Sequence, residues 1–208
     1  MSSFNIPDGL APEIYPLAWL VGSWRGYGVL AYPSIPEQPI VQEVTFDHDG
    51  GPYLRCTSTI WTVDPARSQS VAHETPGLAG ADLLAPAEVW SSESSYWRPA
   101  PTQRSATEDA AAAKRSGDGR PAPPITDIEV LLSQPTGHVA VYLGRAQGPR
   151  IDLVSDAMVR TADASEVTAG RRMYGLVAGD LLWHEELAAF GNELQPYTSG
   201  RMGRKVTT

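Results

Sequence analysis

The chain has 208 residues, 42% of them hydrophobic, enough to close a core in one large β domain. A net charge of −8 repels phosphate backbones and argues against nucleic acid as a partner. No apolar run approaches the ~18 residues of a membrane helix, and the single cysteine, Cys56, leaves no internal disulfide and suits a reducing cytoplasm.

The N-terminal segment lacks the basic-then-apolar pattern of a signal peptide. Residues 12–20 (PEIYPLAWL) are apolar but short, and predict one or two helical turns that plug an end of the fold. Strand signals follow. Residues 22–30 open with closely spaced glycines. Residues 40–48 alternate, with Val44, Phe46 and His48 on one face and Thr45 and Asp47 on the other. The turn Asp49-Gly50-Gly51-Pro52 leads into residues 53–62, so this pair reads as a hairpin. Further strands are predicted at 87–97, 125–133, 138–145, 151–160, 166–177, 181–190 and 197–206. In 138–145, Val139, Val141 and Leu143 alternate with polar or small neighbours.

About ten strands in up-and-down order, with no helix-length segment between them, predict an all-β, antiparallel, single-domain barrel. Closure removes exposed edges, and barrels of eight or more strands leave room for a small ligand. Two segments interrupt the order. Residues 64–86 form a long connection with scattered prolines and glycines. Residues 99–124 contain no aromatic, Val, Ile or Leu residue and read as a disordered loop inserted between strands.

Four stretches narrow the class. Gly22, Trp24, Gly26 and Gly28 form G-x-W-x-G-x-G after the apolar LAWLV, and Tyr32-Pro33-Ser34-Ile35 follows. Residues 93–99 read ESSYWRP. Val159-Arg160-Thr161 leads through Tyr174-Gly175-Leu176 to Gly179-Asp180-Leu181-Leu182-Trp183, and the chain runs on to Leu194-Gln195-Pro196-Tyr197. In this order they resemble the nitrobindin family, whose fold is similar to the fatty-acid-binding proteins, over about 16–205 apart from the two long connections. The resemblance implies a ten-stranded barrel carrying haem b in its mouth, with ferric haem that binds nitric oxide and converts peroxynitrite to nitrate. It also implies an iron-ligating histidine where this chain has Tyr197, and a haem-contacting threonine where it has Ser34.

Tyrosine can ligate ferric haem, but only as phenolate. Its free pKa is about 10, so a nearby cation must help drive off the proton. Arg201, four residues on, would share the face of Tyr197 on a regular strand. The favoured expectation is that Tyr197 fills the space left by an absent haem, so that no cofactor is assigned and the barrel holds a small apolar ligand. A peroxynitrite isomerase with Tyr197 or His184 on the iron is the alternative, and a carrier of fatty acid the third reading. Strand parity leaves open whether Trp183 or His184 points inward. Among the other histidines, His48, His73 and His138 have no zinc-type spacing.

Other residues read as structural. Gly26-x-Gly28-x-x-Ala31 is no dinucleotide fingerprint, because Tyr32-Pro33 breaks the helix it needs. The glycines allow close backbone packing and Trp24 fills the barrel floor. Cys56 reads as a buried, inert thiol. The adjacent pairs Arg171-Arg172 and Glu185-Glu186 read as rim or solvent residues. The resemblance is compatible with a homodimer through an outer sheet face.

Overall fold

The computed structural model describes residues 6–72, 74–100 and 123–205. His73 and nearly all of the predicted 99–124 insertion therefore lie outside the described residues. A 3₁₀ helix at Pro12–Leu20 precedes ten strands: β1 (Gly22–Tyr32), β2 (Ile35–Asp47), β3 (Leu54–Val63), β4 (Pro86–Pro99), β5 (Ile125–Gln134), β6 (His138–Gln147), β7 (Arg150–Arg160), β8 (Val167–Val177), β9 (Asp180–Ala189) and β10 (Gln195–Arg204). Each strand pairs antiparallel with its sequence neighbours, and β10 returns to β1 to close the barrel. The predicted up-and-down barrel is therefore the observed fold.

The 3₁₀ helix plugs one end, as its apolar residues require. Ile14, Leu17 and Leu20 are wholly buried there. Trp24 lies above them and donates its indole N–H to the Leu20 carbonyl at 2.7 Å. Arg204, on the last strand, stacks on Trp24 at 4.1 Å from the ring centroid and donates to the carbonyls of Trp19 and Val21. Phe46 and Trp97 meet edge-on at 5.3 Å, and Trp97 meets Tyr174 at 5.4 Å. The floor is thus an apolar layer locked by one cation from the C-terminal strand.

Two features depart from expectation. The connection after β3 contains a short helix, α1 (Gly77–Asp82), which packs over the outside of the β1–β10 seam. It is pinned there by the Tyr27 hydroxyl donating to Thr75 O at 2.8 Å and by Gly77 N donating to Asp180 Oδ2 at 3.0 Å. On β6 the alternation is real, but the larger aliphatic residues face outward. Ala140 and Tyr142 are buried while Val139 is 54% exposed. The interior at this height needs room for a large ring, so the small residue and the tyrosine take it.

Candidate functional site

Above the floor the barrel holds a cavity of about 250 Å³. Its centre is charged. Arg172 on β8 donates to both Glu93 oxygens, Nη1 to Oε1 at 2.7 Å and Nη2 to Oε2 at 2.8 Å, across the lumen to β4. The same Nη2 lies 2.9 Å from Glu185 Oε1 on β9. The Arg172 guanidinium also sits 5.2 Å from the centroid of the Tyr142 ring. Only 6% of Arg172 is exposed. Arg172 and Glu185 are opposite one another in the β8–β9 ladder, so they share the inner face; Arg171 and Glu186, one position on, pair at 3.3 Å on the outer face. The inward pair corrects the rim reading given to these charges.

Burial works against the Arg172 charge, but Glu185 and Glu93 outweigh it and hold its pKa well above the ordinary value. Burial pushes the Glu185 carboxyl up from 4.5; Arg172 opposes this and Glu93 adds to it. A carboxyl that holds its proton more tightly when folded makes the folded state relatively stronger at low pH. Stability from this group is full below 4.5, the unfolded value, and is lost as pH rises through the raised folded value. Denaturant midpoints measured from pH 4 upward are expected to decline less steeply in Glu185→Gln than in wild type, and parallel profiles would count against the assignment.

Toward the mouth the walls become aromatic. The Tyr197 hydroxyl accepts a hydrogen bond from Trp90 Nε1 at 2.5 Å. Its ring meets Tyr32 edge-on at 6.0 Å, and the Tyr32 hydroxyl ties to β9 by accepting from Ala189 N at 2.9 Å. The Tyr197 pKa is pushed up to about 12, first by burial and then by Glu185; the Trp90 hydrogen bond and Arg172 act in the other direction.

Tyr197 faces the cavity because of a bulge. The β9–β10 register shifts between Pro196 and Thr198, so an extra residue is accommodated there. Thr198 also points inward and donates to Glu185 Oε2 at 3.4 Å. The shift reverses the expected parity: Arg201 lies outside the barrel, 3.5 Å from Asp180. The cation that acts on Tyr197 is Arg172.

His184 also faces outward. Its neighbours along β9, Trp183 and Glu185, line the cavity, while His184 borders an external groove with Val29, Met173 and Arg201. The expectation that it could serve as an iron ligand is corrected by this parity. Ser34 sits in a rim groove with Gln195 and Pro196 and does not line the main cavity. His138 does line it, but Nε2 engages Ser165 O at 2.8 Å and Nδ1 engages Thr136 Oγ1 at 3.2 Å. Gly22, Trp24, Gly26 and Gly28 belong to the floor and the β1–β10 seam. Cys56 is buried, and burial pushes its thiol pKa up. Among the described residues, no group of three or more His, Cys, Asp or Glu is placed to hold a metal ion.

Residues 13–204 match the family described as THAP4-like, heme-binding beta-barrel domain. A ferric nitrobindin-like protein of Beutenbergia cavernae is 50% identical over 97% of this chain and 99% of its own length. The chain belongs to the nitrobindin family. A second nitrobindin relative, named peroxynitrite isomerase, comes from Leifsonia xyli and is 38% identical over 96% of this chain and 98% of its own. The crystal structure of Rv2717c from M. tuberculosis shares the fold, with a TM-score of 0.65 and 24% identity over 95% of this chain and 99% of that one. Against this nitrobindin background, the charged centre made by Glu93, Arg172 and Glu185 is what reading residues singly missed.

Proposed function

We propose that this chain is a binding module on the nitrobindin barrel, with a cavity for a small organic molecule and without histidine-ligated ferric haem. The observation that carries the reading is Tyr197. It lines the cavity at the position to which the sequence resemblance assigns the family's iron ligand, its oxygen is engaged by the Trp90 indole at 2.5 Å, and its proton is held to about pH 12. As a donor set for haem iron the interior does not fit. His138 has both ring nitrogens engaged, His184 faces outward, and the buried ion cluster carries more negative than positive charge, which opposes a phenolate. The cavity of about 250 Å³ also falls below the roughly 300–1,000 Å³ of drug-sized sites. The lone buried Cys56 supports a cytoplasmic setting.

The test is a titration of ferric hemin into purified protein, followed in the Soret region, for wild type, Tyr197→His and Tyr197→Phe. Wild type is expected to give no specific saturable band, and Tyr197→His to gain one. A second reading, a haem-dependent peroxynitrite isomerase, is favoured by the name of the Leifsonia relative. It predicts a tyrosinate-type spectrum in wild type that Tyr197→Phe abolishes, and that result would replace the first reading. A fatty-acid carrier is disfavoured by the same excess of buried negative charge.

A further inference from the structure

We infer that the cavity selects small organic cations of the arylalkylamine class over carboxylates of the same shape. The inference rests on the reading that haem does not occupy this space.

Charge is the first argument. Among the described residues, the carboxylates of Glu93 and Glu185 face a single guanidinium inside the cavity, that of Arg172. The other ionisable lining groups are His138 and the tyrosines Tyr32, Tyr142, Tyr174 and Tyr197. Burial raises the pKa of Tyr142, Tyr174 and Tyr197, which keeps them neutral. Arg172 lies 2.7 Å from Glu93 and 2.9 Å from Glu185 and favours the ionised form of both, and the cluster, fully ionised, carries one uncompensated negative charge. In a desolvated site that charge attracts a cation and repels a carboxylate.

Free acceptors are the second. Arg172 engages both oxygens of Glu93, whereas the hydrogen bond to Glu185 Oε2 among the described residues is the long Thr198 contact at 3.4 Å. Gln42, 8% exposed, lines the same space. Its Nε2 donates to Ser58 Oγ at 2.8 Å, which leaves buried Oε1 without a hydrogen-bond partner among the described residues. An ammonium group has three donors for such acceptors. Two buried donors, Arg172 Nε and Trp183 Nε1, also have no hydrogen-bond partner among the described residues; a carboxylate could answer them only while facing Glu93 and Glu185.

Shape is the third. Trp90, Tyr174, Trp183 and Tyr197 supply ring faces and edges around the charged centre, and a cation over such a face is attracted by the ring quadrupole, more strongly when desolvated. The volume of about 250 Å³ suits one ring with a short amine-bearing tail.

Calorimetric titration of the full chain at pH 7 with 2-phenylethylammonium, 2-phenylethanol and 3-phenylpropionate tests this. The ammonium is expected to bind at least ~tenfold tighter than the alcohol, and the carboxylate weaker than either. In Glu185→Gln the preference for the ammonium over the alcohol should shrink to within about threefold. Should that variant fail to fold, the three-ligand comparison on wild type decides alone. Equal affinity for ammonium and alcohol, tighter binding of the carboxylate, or no detectable ammonium binding would each overturn the inference. Hemin titrated in parallel separates the two failures: a saturable haem band overturns the proposed function, whereas loss of cation preference without such a band overturns only the ligand class.

Discussion

Replacing Arg172 with methionine is expected to destabilise the barrel by about 3–5 kcal/mol, read as a shift of the urea midpoint at pH 7. The guanidinium answers both Glu93 and Glu185 inside the lumen, and its removal leaves two buried carboxylates facing each other with no cation. Protonation of one of them can relieve part of this, so the loss should grow as pH rises. Methionine keeps the aliphatic stem of the side chain, and the space of the lost guanidinium joins the existing cavity that Arg172 lines. The companion experiment replaces Glu93, Arg172 and Glu185 together with apolar residues of similar volume. That variant is expected to recover most of the lost stability, because desolvating a charge cluster costs about as much as its internal attraction returns. A loss under about 1 kcal/mol for Arg172→Met would mean that the carboxylates are hydrated well enough to need no partner.

Gly26→Ala should be among the most damaging single methyl additions at the described glycines. A Cβ at Gly26 would lie 1.9 Å from the Arg201 carbonyl oxygen and 2.5 Å from Met202 Cα. Both are backbone atoms of the strand that closes the barrel, so no side chain can swing away. The expected cost exceeds the ~1–3 kcal/mol of ordinary overpacking and falls on the β1–β10 ladder. Hydrogen exchange should report it as lost protection in both strands, with β5–β6 amides affected later. Gly28→Ala should behave alike, since its Cβ would meet Ser199 O at 2.1 Å. Native-like exchange at the seam in Gly26→Ala would show that β10 can yield.

Much of this architecture was legible because each strand announces itself locally. β-branched and aromatic runs end at glycine-bearing turns, and antiparallel neighbours joined by short turns leave few topologies. The G-x-W-x-G-x-G segment was readable as a packing device, and the seam contacts of Gly26 and Gly28 supply its physical reason. What lay hidden was parity. The β6 alternation Val139-Val141-Leu143 was readable but not its side: that face points to solvent, because hydrophobicity does not say which face is inside when the small and large members of the other face fit a curved interior. At Tyr197 a bulge displaced the count by one, which put Arg201 outside. The pairing of Arg172 with Glu185 was within reach: the tight turn at Ala178-Gly179 fixes the β8–β9 register, and that register sets these two residues opposite each other. Glu93 was not, since it reaches them across the lumen from β4 and no local pattern encodes a distance through the barrel. The helix after β3 is six residues long, too short for periodicity to reveal.

The clasp at the barrel floor has a consequence for how the chain is made. Arg204 holds carbonyls at Trp19 and Val21, contacts as much as 185 residues apart in sequence. The entropy of closing so long a loop must be met before any seam contact can repay it, which places the fold among slow, non-local folders. During synthesis the N-terminal plug and β1 emerge first and must wait for the last strand. Until β10 arrives, β1 has one unpaired edge and the apolar floor is open on that side. The nascent barrel is therefore open to wrong pairing until its tenth strand has been translated.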